Sequence, residues 1–296
     1  MILGVEHDKP VFLAPPLSCD CHTHIFGPVN RFPLALSRTY TPDDASIENL
    51  LELHKLLGIE RVVIVHPSPY GSDNSCTVDA VKKIGNSARG VAVIDRGTSE
   101  KQLNEMHESG IRGVRINLET SGIQDPAFAE KTLADTAKQI ASLGWHIQIF
   151  SNLAVIASLQ DSIRALDIPI VIDHFGGAKA ALGTTQKNFE TILGLVQEKK
   201  VWVKLSAPYR ISTESDFADA SALAKELISA NENQMLWGSD WPHPGGLPGK
   251  PRRIDTIEPF RPINDGRILN LFASWVDSPS ILKKILVDNP EKLYDF

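Results

Sequence analysis

Cysteine is scarce in this chain. Its three thiols, Cys19, Cys21 and Cys76, give no disulfide framework, and two cysteines one residue apart on a strand cannot readily close on each other. A reducing cytoplasm is the compartment this implies. Basic charge is in deficit too: 30 Lys and Arg against 36 Asp and Glu leave a formal net charge of −6. That argues against a general nucleic-acid surface or an anionic-membrane surface. It leaves room for a small anionic substrate, because a few arginines can invert the potential inside one pocket. Long apolar runs are missing as well. Met1 to Pro16 has neither the basic start nor the apolar stretch of a secretion signal, and no later window is apolar enough to span a bilayer. Low-complexity tracts, short repeats and linker-like breaks in composition are also absent, so residues 1–296 read as one domain. Nothing in the sequence fixes the oligomeric state.

What is present is an ordinary globular balance, 42% hydrophobic and 22% charged, in a chain long enough to bury a sizeable core. Residues 1–16, with three prolines, form an irregular lead-in expected to cover the barrel floor. From Leu17 onward short apolar runs alternate with helical patterns. Strands are expected at 17–24, 61–66 (RVVIVH), 90–94, 113–117, 146–150, 170–172, 201–205 and 235–237. Helices are expected between them, at 45–57, 76–84, 99–109, 126–143, 153–166, 187–198 and 216–230. Pro42-Asp43-Asp44 supplies cap chemistry for the first helix, and Gly58 ends it. Repeated βα units imply parallel strands with right-handed crossovers, and eight of them predict a (β/α)8 barrel, distorted by its loops. The Gly- and Pro-rich stretch 245–262 is a long final loop before closing helices near 266–275 and 279–287.

In such a barrel the reacting groups sit at the C-terminal ends of the strands. The first ends in Asp20-Cys21-His22-Thr23-His24. Alternation puts both histidines on one face, with Asp20 two positions earlier. Two imidazoles so placed suit a shared proton or a shared divalent metal, and a metal would need further ligands. The second strand leads to His66, Ser68, Tyr70 and the polar run Ser72-Asp73-Asn74, which either binds hydroxyls or caps the next helix. The fourth carries Arg115 and Asn117, with Arg112 low in the wall. The fifth ends at Phe150, the sixth at Asp173-His174, the seventh near Tyr209 and Arg210, and the eighth at Asp240, followed by His243. His66 can be structural, and His243, between two prolines, can equally brace its loop. His54 and His107 are expected on solvated helix faces, and Cys19 and Cys21 as small core residues.

The motifs DCHTHIFGP, RGVRIN, IDHFGG and GSDWPHP, in this order, resemble the amidohydrolase superfamily. More narrowly they resemble its lactonase branch, which contains 2-pyrone-4,6-dicarboxylate lactonase, 4-sulfomuconolactone hydrolase and galactarolactone isomerase. The resemblance spans about residues 17–294. It implies that Asp240 is the general base and that His22, His24 and His174 polarise a substrate carbonyl or hold a metal. Ester hydrolysis needs those two roles, a base near the attacking water and an electrophile on the carbonyl oxygen. Either no cofactor is required or one divalent metal such as zinc is held by His22, His24 and Asp240. The chain departs from the branch in places. It lacks the fourth-strand lysine and fifth-strand-end histidine of binuclear members, His146 lying at the wrong end, so a two-metal centre is not expected. Phe150 stands where the pyrone lactonase pattern has tyrosine, and Leu118-Glu119 where it has a basic residue, which argues against that dicarboxylate as substrate.

These readings predict a hydrolase that opens a small carboxylated or sugar-acid lactone in carbohydrate-acid or aromatic catabolism. Arg115 and Arg210 hold a carboxylate through their planar forks, with Arg112 and Arg31 behind them. Ser68, Tyr70, Asn117, Tyr209 and His243 complete the substrate site. Three rivals remain. A lactone isomerase would replace water by a substrate hydroxyl. A decarboxylase would need a metal and release CO2. A non-catalytic sugar-acid binding protein would keep the arginines and need no base.

Overall fold

Eight strands carry the architecture: β1 (Cys19–Thr23), β2 (Arg61–Val65), β3 (Ala88–Ala92), β4 (Ile111–Asn117), β5 (His146–Phe150), β6 (Ile170–Ile172), β7 (Val201–Ser206) and β8 (Met235–Gly238). Each pairs in parallel with the next in sequence order, giving an eight-stranded sheet from β1 to β8. The computed structural model describes residues 1–246 and 252–296; residues 247–251 of the expected final loop lie outside the described residues. Among the described residues no helix is long and apolar enough to cross a membrane.

The sheet rolls into a barrel whose seam lies between β8 and β1. There the ladder is reduced to a Thr23–Trp241 bridge, supported by Asp240 N–H donating to His22 C=O (2.8 Å) and His24 N–H donating to Trp241 C=O (2.8 Å). Gly238 permits this approach, since a Cβ there would lie 2.7 Å from the Cβ of His22. Alternation divides the strand residues as a barrel requires. Val62, Ile64, Ile147 and Ile149 join the core beneath the helices. Cys19, Cys21, Val63, Val65, Val91, Val171, Trp202 and Leu236 form a separate cluster with Tyr294, closing the barrel floor from the C-terminal helix Asn289–Tyr294. The lead-in lies elsewhere than expected: Asp8 and Val11 N–H groups donate to Asn264 and Asn270, along the helix Asp265–Ser274. Arg112, at the foot of β4, pairs with Asp295 (3.2 Å).

Local differences from the sequence reading have physical causes. A register shift in β1 between Asp20 and Thr23 separates Asp20 from the face of His22 and His24. Its carboxylate instead accepts from the backbone N–H groups of His22 (3.2 Å) and Ser239 (2.9 Å) and lies 3.3 Å from His54 Nε2. His54 is thus buried at 3% exposure, not solvated. His107 is half-buried and accepts the Trp145 indole N–H (3.0 Å). The first helix spans Ile47–Leu57, capped by Ser46 and Asn49 rather than by Pro42–Asp44, because Ala45 is held in a two-way backbone pairing with Phe26. The helix expected over 153–166 breaks at Leu159, whose N–H turns back to Ile156 (3.1 Å).

Candidate active site

Four polar atoms converge at the mouth of the barrel beside the seam. Asp240 Oδ1 lies 3.4 Å from His22 Nε2, 3.3 Å from His24 Nε2 and 3.8 Å from His174 Nε2. All four residues are essentially excluded from solvent. Asp240 Oδ1, His22 Nε2 and His174 Nε2 have no hydrogen-bond partner among the described residues. Buried polar atoms are rarely left so, and these three face one point at the mouth of the barrel. The other carboxylate oxygen of Asp240 is engaged: Tyr209 OH donates to Oδ2 (2.5 Å), as does Arg210 Nε (2.8 Å), while Arg210 Nη2 lies 2.7 Å from it as an ion pair and donates to Pro244 C=O (2.7 Å). Burial alone would push the Asp240 carboxyl up. The Arg210 guanidinium and the surrounding imidazoles together outweigh it and hold the group well below the ordinary carboxylate range.

Each imidazole is oriented from behind. His24 Nδ1 donates to Val65 C=O (2.7 Å), so in the neutral ring Nε2 carries a lone pair. His174 Nδ1 pairs with Ser206 Oγ (2.8 Å). His22 Nδ1 meets Lys204 Nζ (3.3 Å), a buried lysine that also donates to Gln148 Oε1 (2.7 Å). Burial lowers the pKa of all three histidines, that of His22 to about 3. They are therefore neutral at pH 7. Beneath them Asp173 Oδ2 accepts from Arg115 Nε (3.2 Å) and Nη2 (3.1 Å) and from Gln148 Nε2 (3.0 Å). Burial opposes the Asp173 charge, and the neighbouring His22, Lys204 and Arg115 together hold it well below the usual carboxylate range.

Above this floor opens a small pocket lined by His24, Tyr40, Ser68, Arg115, Asn117, Phe150, Arg210 and Arg252, among others. The Arg115 and Arg210 guanidiniums both lie over the Phe150 ring, 5.1 and 5.7 Å from its centroid. Of the residues expected from sequence, His22, His24, His174 and Asp240 come together, and Ser68, Arg115, Asn117 and Arg210 reach the pocket. Tyr70 does not line it; its hydroxyl accepts from Gly27 N–H (3.0 Å). Tyr209 bonds to Asp240, and His243 lies behind it, 3.3 Å from its hydroxyl and 3.1 Å from Asp265 Oδ2. His66 donates Nε2–H to Gly71 C=O (2.9 Å) as a loop brace. Ser72, Asp73 and Asn74 are spent on Asp95, Ser75 N–H and the Val93 backbone. Arg31 pairs with Asp79 at the surface (2.5 Å).

The residues sequence reasoning passed over are Tyr40, Arg252, Gln148 and Lys204. The last two had a signal. A lysine and a glutamine inside apolar barrel strands, in phase with Ser206 and Phe150, must point into the barrel.

The amidohydrolase family pattern matches residues 19–296. The chain belongs to the amidohydrolase family. This amidohydrolase is 35% identical to a 4-sulfomuconolactone hydrolase of Hydrogenophaga intermedia, over 99% of this chain and 94% of that one. It is 34% identical to a 2-pyrone-4,6-dicarboxylate hydrolase of Comamonas testosteroni, over 97% and 92%. A solved structure from Agrobacterium tumefaciens shares the fold with a TM-score of 0.82 at 22% identity, covering 97% of this chain and 99% of that one. The barrel expected from the βα alternation and the lactonase branch expected from the four motifs are both borne out.

Proposed function

We propose that this amidohydrolase hydrolyses the lactone ring of a small anionic substrate, with Asp240 as general base. One observation carries the reading: Asp240 has one oxygen locked by Tyr209 and Arg210 and the other bare, facing three imidazole Nε2 atoms beneath an arginine-lined pocket. The names of the two hydrolase relatives, both acting on acidic lactones, support it.

The chemistry follows from donor and acceptor roles. Asp240 Oδ1 and His24 Nε2 are both acceptors 3.3 Å apart, and a water can give one proton to each. Its oxygen attacks the lactone carbonyl as Asp240 takes the proton. Charge gathering on the carbonyl oxygen falls to the Nε2 atoms of His22 and His174. When the ring C–O bond breaks, the proton held on Asp240 returns to the leaving oxygen. Arg115 and Arg210 each keep an Nη1 without a hydrogen-bond partner among the described residues. Those N–H groups and Arg252 bind the substrate carboxylate.

A divalent cation also fits the donor set. His22, His174 and Asp240 offer atoms within 4.8 Å of one another, with His24 beside them, and a bound cation would supply Lewis acidity toward the carbonyl. The test is acid release from a panel of aldarate, aldonate and muconolactones and the pyrone dicarboxylate, before and after chelation. Hydrolysis of at least one acidic lactone is expected. Ring-size change without acid release would replace hydrolysis by isomerisation, and no reaction with any lactone would overturn the proposal.

A further inference from the structure

We propose that Lys204 sets the tautomer of His22, so that Nε2 of this ring carries the proton and Nδ1 is an acceptor. His22 Nδ1 has two polar neighbours at nearly equal range, Lys204 Nζ at 3.3 Å and Asp173 Oδ1 at 3.2 Å. They demand opposite tautomers. An ammonium has donors only and requires a bare Nδ1, whereas a carboxylate requires Nδ1–H. The geometry decides between them. Lys204 Nζ meets the ring in hydrogen-bond geometry, while Asp173 Oδ1, despite its proximity, has no hydrogen-bond partner among the described residues. Arg115 and Gln148 hold the Asp173 carboxylate by its other oxygen. Lys204 also donates to Gln148 Oε1 at 2.7 Å, which fixes the ammonium against the ring, and its charge faces Asp173 Oδ1 at 3.6 Å without a hydrogen bond.

The consequence is a division of labour on one strand. His24, its Nδ1–H spent on Val65 C=O, presents a lone pair. His22, two residues earlier, presents an N–H. An acceptor and a donor thus flank Asp240 Oδ1, one for the attacking water and one for the carbonyl oxygen. Lys204 touches neither; it is a positioning residue acting through His22. A metal ion at His22 Nε2 would need the other tautomer, with Nδ1–H turned to Asp173, so Lys204 also biases the site against metal. The kinetic meaning of this inference rests on the lactonase reading, but the tautomer itself does not.

The experiment is long-range 1H–15N correlation NMR on protein labelled with 15N-histidine, with the His22 signals assigned by their loss in His22→Gln. A protonated Nε2 and bare Nδ1 are expected in the wild type at pH 7, whether or not any lactone is turned over. A protonated Nδ1 would overturn the proposal. Lys204→Met should flip the ring to Nδ1–H and tighten zinc binding by about tenfold in calorimetry. On an active lactone it should lower kcat about 10²-fold with KM little changed, as for loss of one oxyanion donor. An unflipped ring in the folded variant would sink the role of Lys204. If Lys204→Met does not fold, Lys204→Met with Gln148→Leu, which also removes the lysine's amide partner, carries the same two expectations.

Discussion

Acid should unfold this protein before it titrates the site. Three buried histidines have pKa values depressed from 6.5 mainly by desolvation: His22 to about 3, His66 to about 4 and His146 to about 3. In the unfolded chain each binds a proton near pH 6.5, but in the native state each stays neutral well below that. The unfolded state therefore gains protons first, and stability falls as pH drops from about 6.5 toward the folded values. Between pH 7 and pH 5 each histidine costs about 2 kcal/mol at about 1.4 kcal/mol per unit, or about 5–6 kcal/mol for the three. Asp173 and Asp240 run the other way. Their folded pKa values are depressed, so their contribution is present above about pH 4 and fades only below it. It changes little in this window. A loss of that size is comparable to the whole stability of an ordinary domain. Urea unfolding followed by tryptophan fluorescence at pH 7 and pH 5 measures it. A loss under about 2 kcal/mol, the worth of one histidine, would refute the reasoning. The acid limb of activity should coincide with unfolding, because His22 and Asp240 keep their working charge states down to that point.

Asp240→Asn removes the base and should lower kcat by about 10²–10⁴-fold with KM nearly unchanged, measured by steady-state kinetics on an active lactone. A loss under fivefold would place the base elsewhere. Gly238→Ala drives a Cβ to within 2.7 Å of the His22 Cβ, so it should cost about 1–3 kcal/mol of stability, read as a lower thermal midpoint. Ala207, just past β7, has left-handed φ of 50°. Ala207→Gly relieves about 1–2 kcal/mol of strain against about 0.4–1 kcal/mol of added chain entropy. It should leave the protein slightly more stable, and kcat should fall as Tyr209 and Arg210 lose their fixed approach to Asp240.

The barrel was legible because its signal is redundant: apolar strands and helical patterns alternate from Cys19 to Gly238, and losing one would not hide the period. The rim residues His22, His24, His174 and Asp240 were legible because barrel topology says which strand end matters. Side-chain direction around the β1 irregularity was not. One extra residue in register turned Asp20 out toward His54, and no composition cue marks a bulge. Lys204 and Gln148 sit two residues below the strand ends, in strands whose apolar composition carries no cue to chemistry there. Tyr40 and Arg252 come from long loops, where distant segments meet by packing. Tyr40 lies under the Arg252 guanidinium at 3.9 Å, and Arg252 is fixed in turn by Glu258 (2.8 Å).

Backbone strain gathers where the chemistry is proposed. His174 and Phe175 after β6, Ala207 after β7, and Asp240 and His243 after β8 all have φ between 49° and 69°, a region costly for residues with a Cβ. These five lie at three neighbouring strand ends: His174 and Asp240 carry site groups, and Ala207 lies two residues before Tyr209. A relaxed turn at Asp240 would have to give up His243 N–H to Asp240 C=O (2.7 Å) or Asp240 N–H to His22 C=O (2.8 Å). The second of those bonds is part of the seam that closes the barrel. Closure and carboxylate placement are therefore one constraint: the bond that joins β8 to β1 also aims Asp240 Oδ1 at the histidines of β1. That coupling explains why the unpaired carboxylate oxygen can persist in a dry interior, since the barrel cannot relieve it locally without opening along its seam.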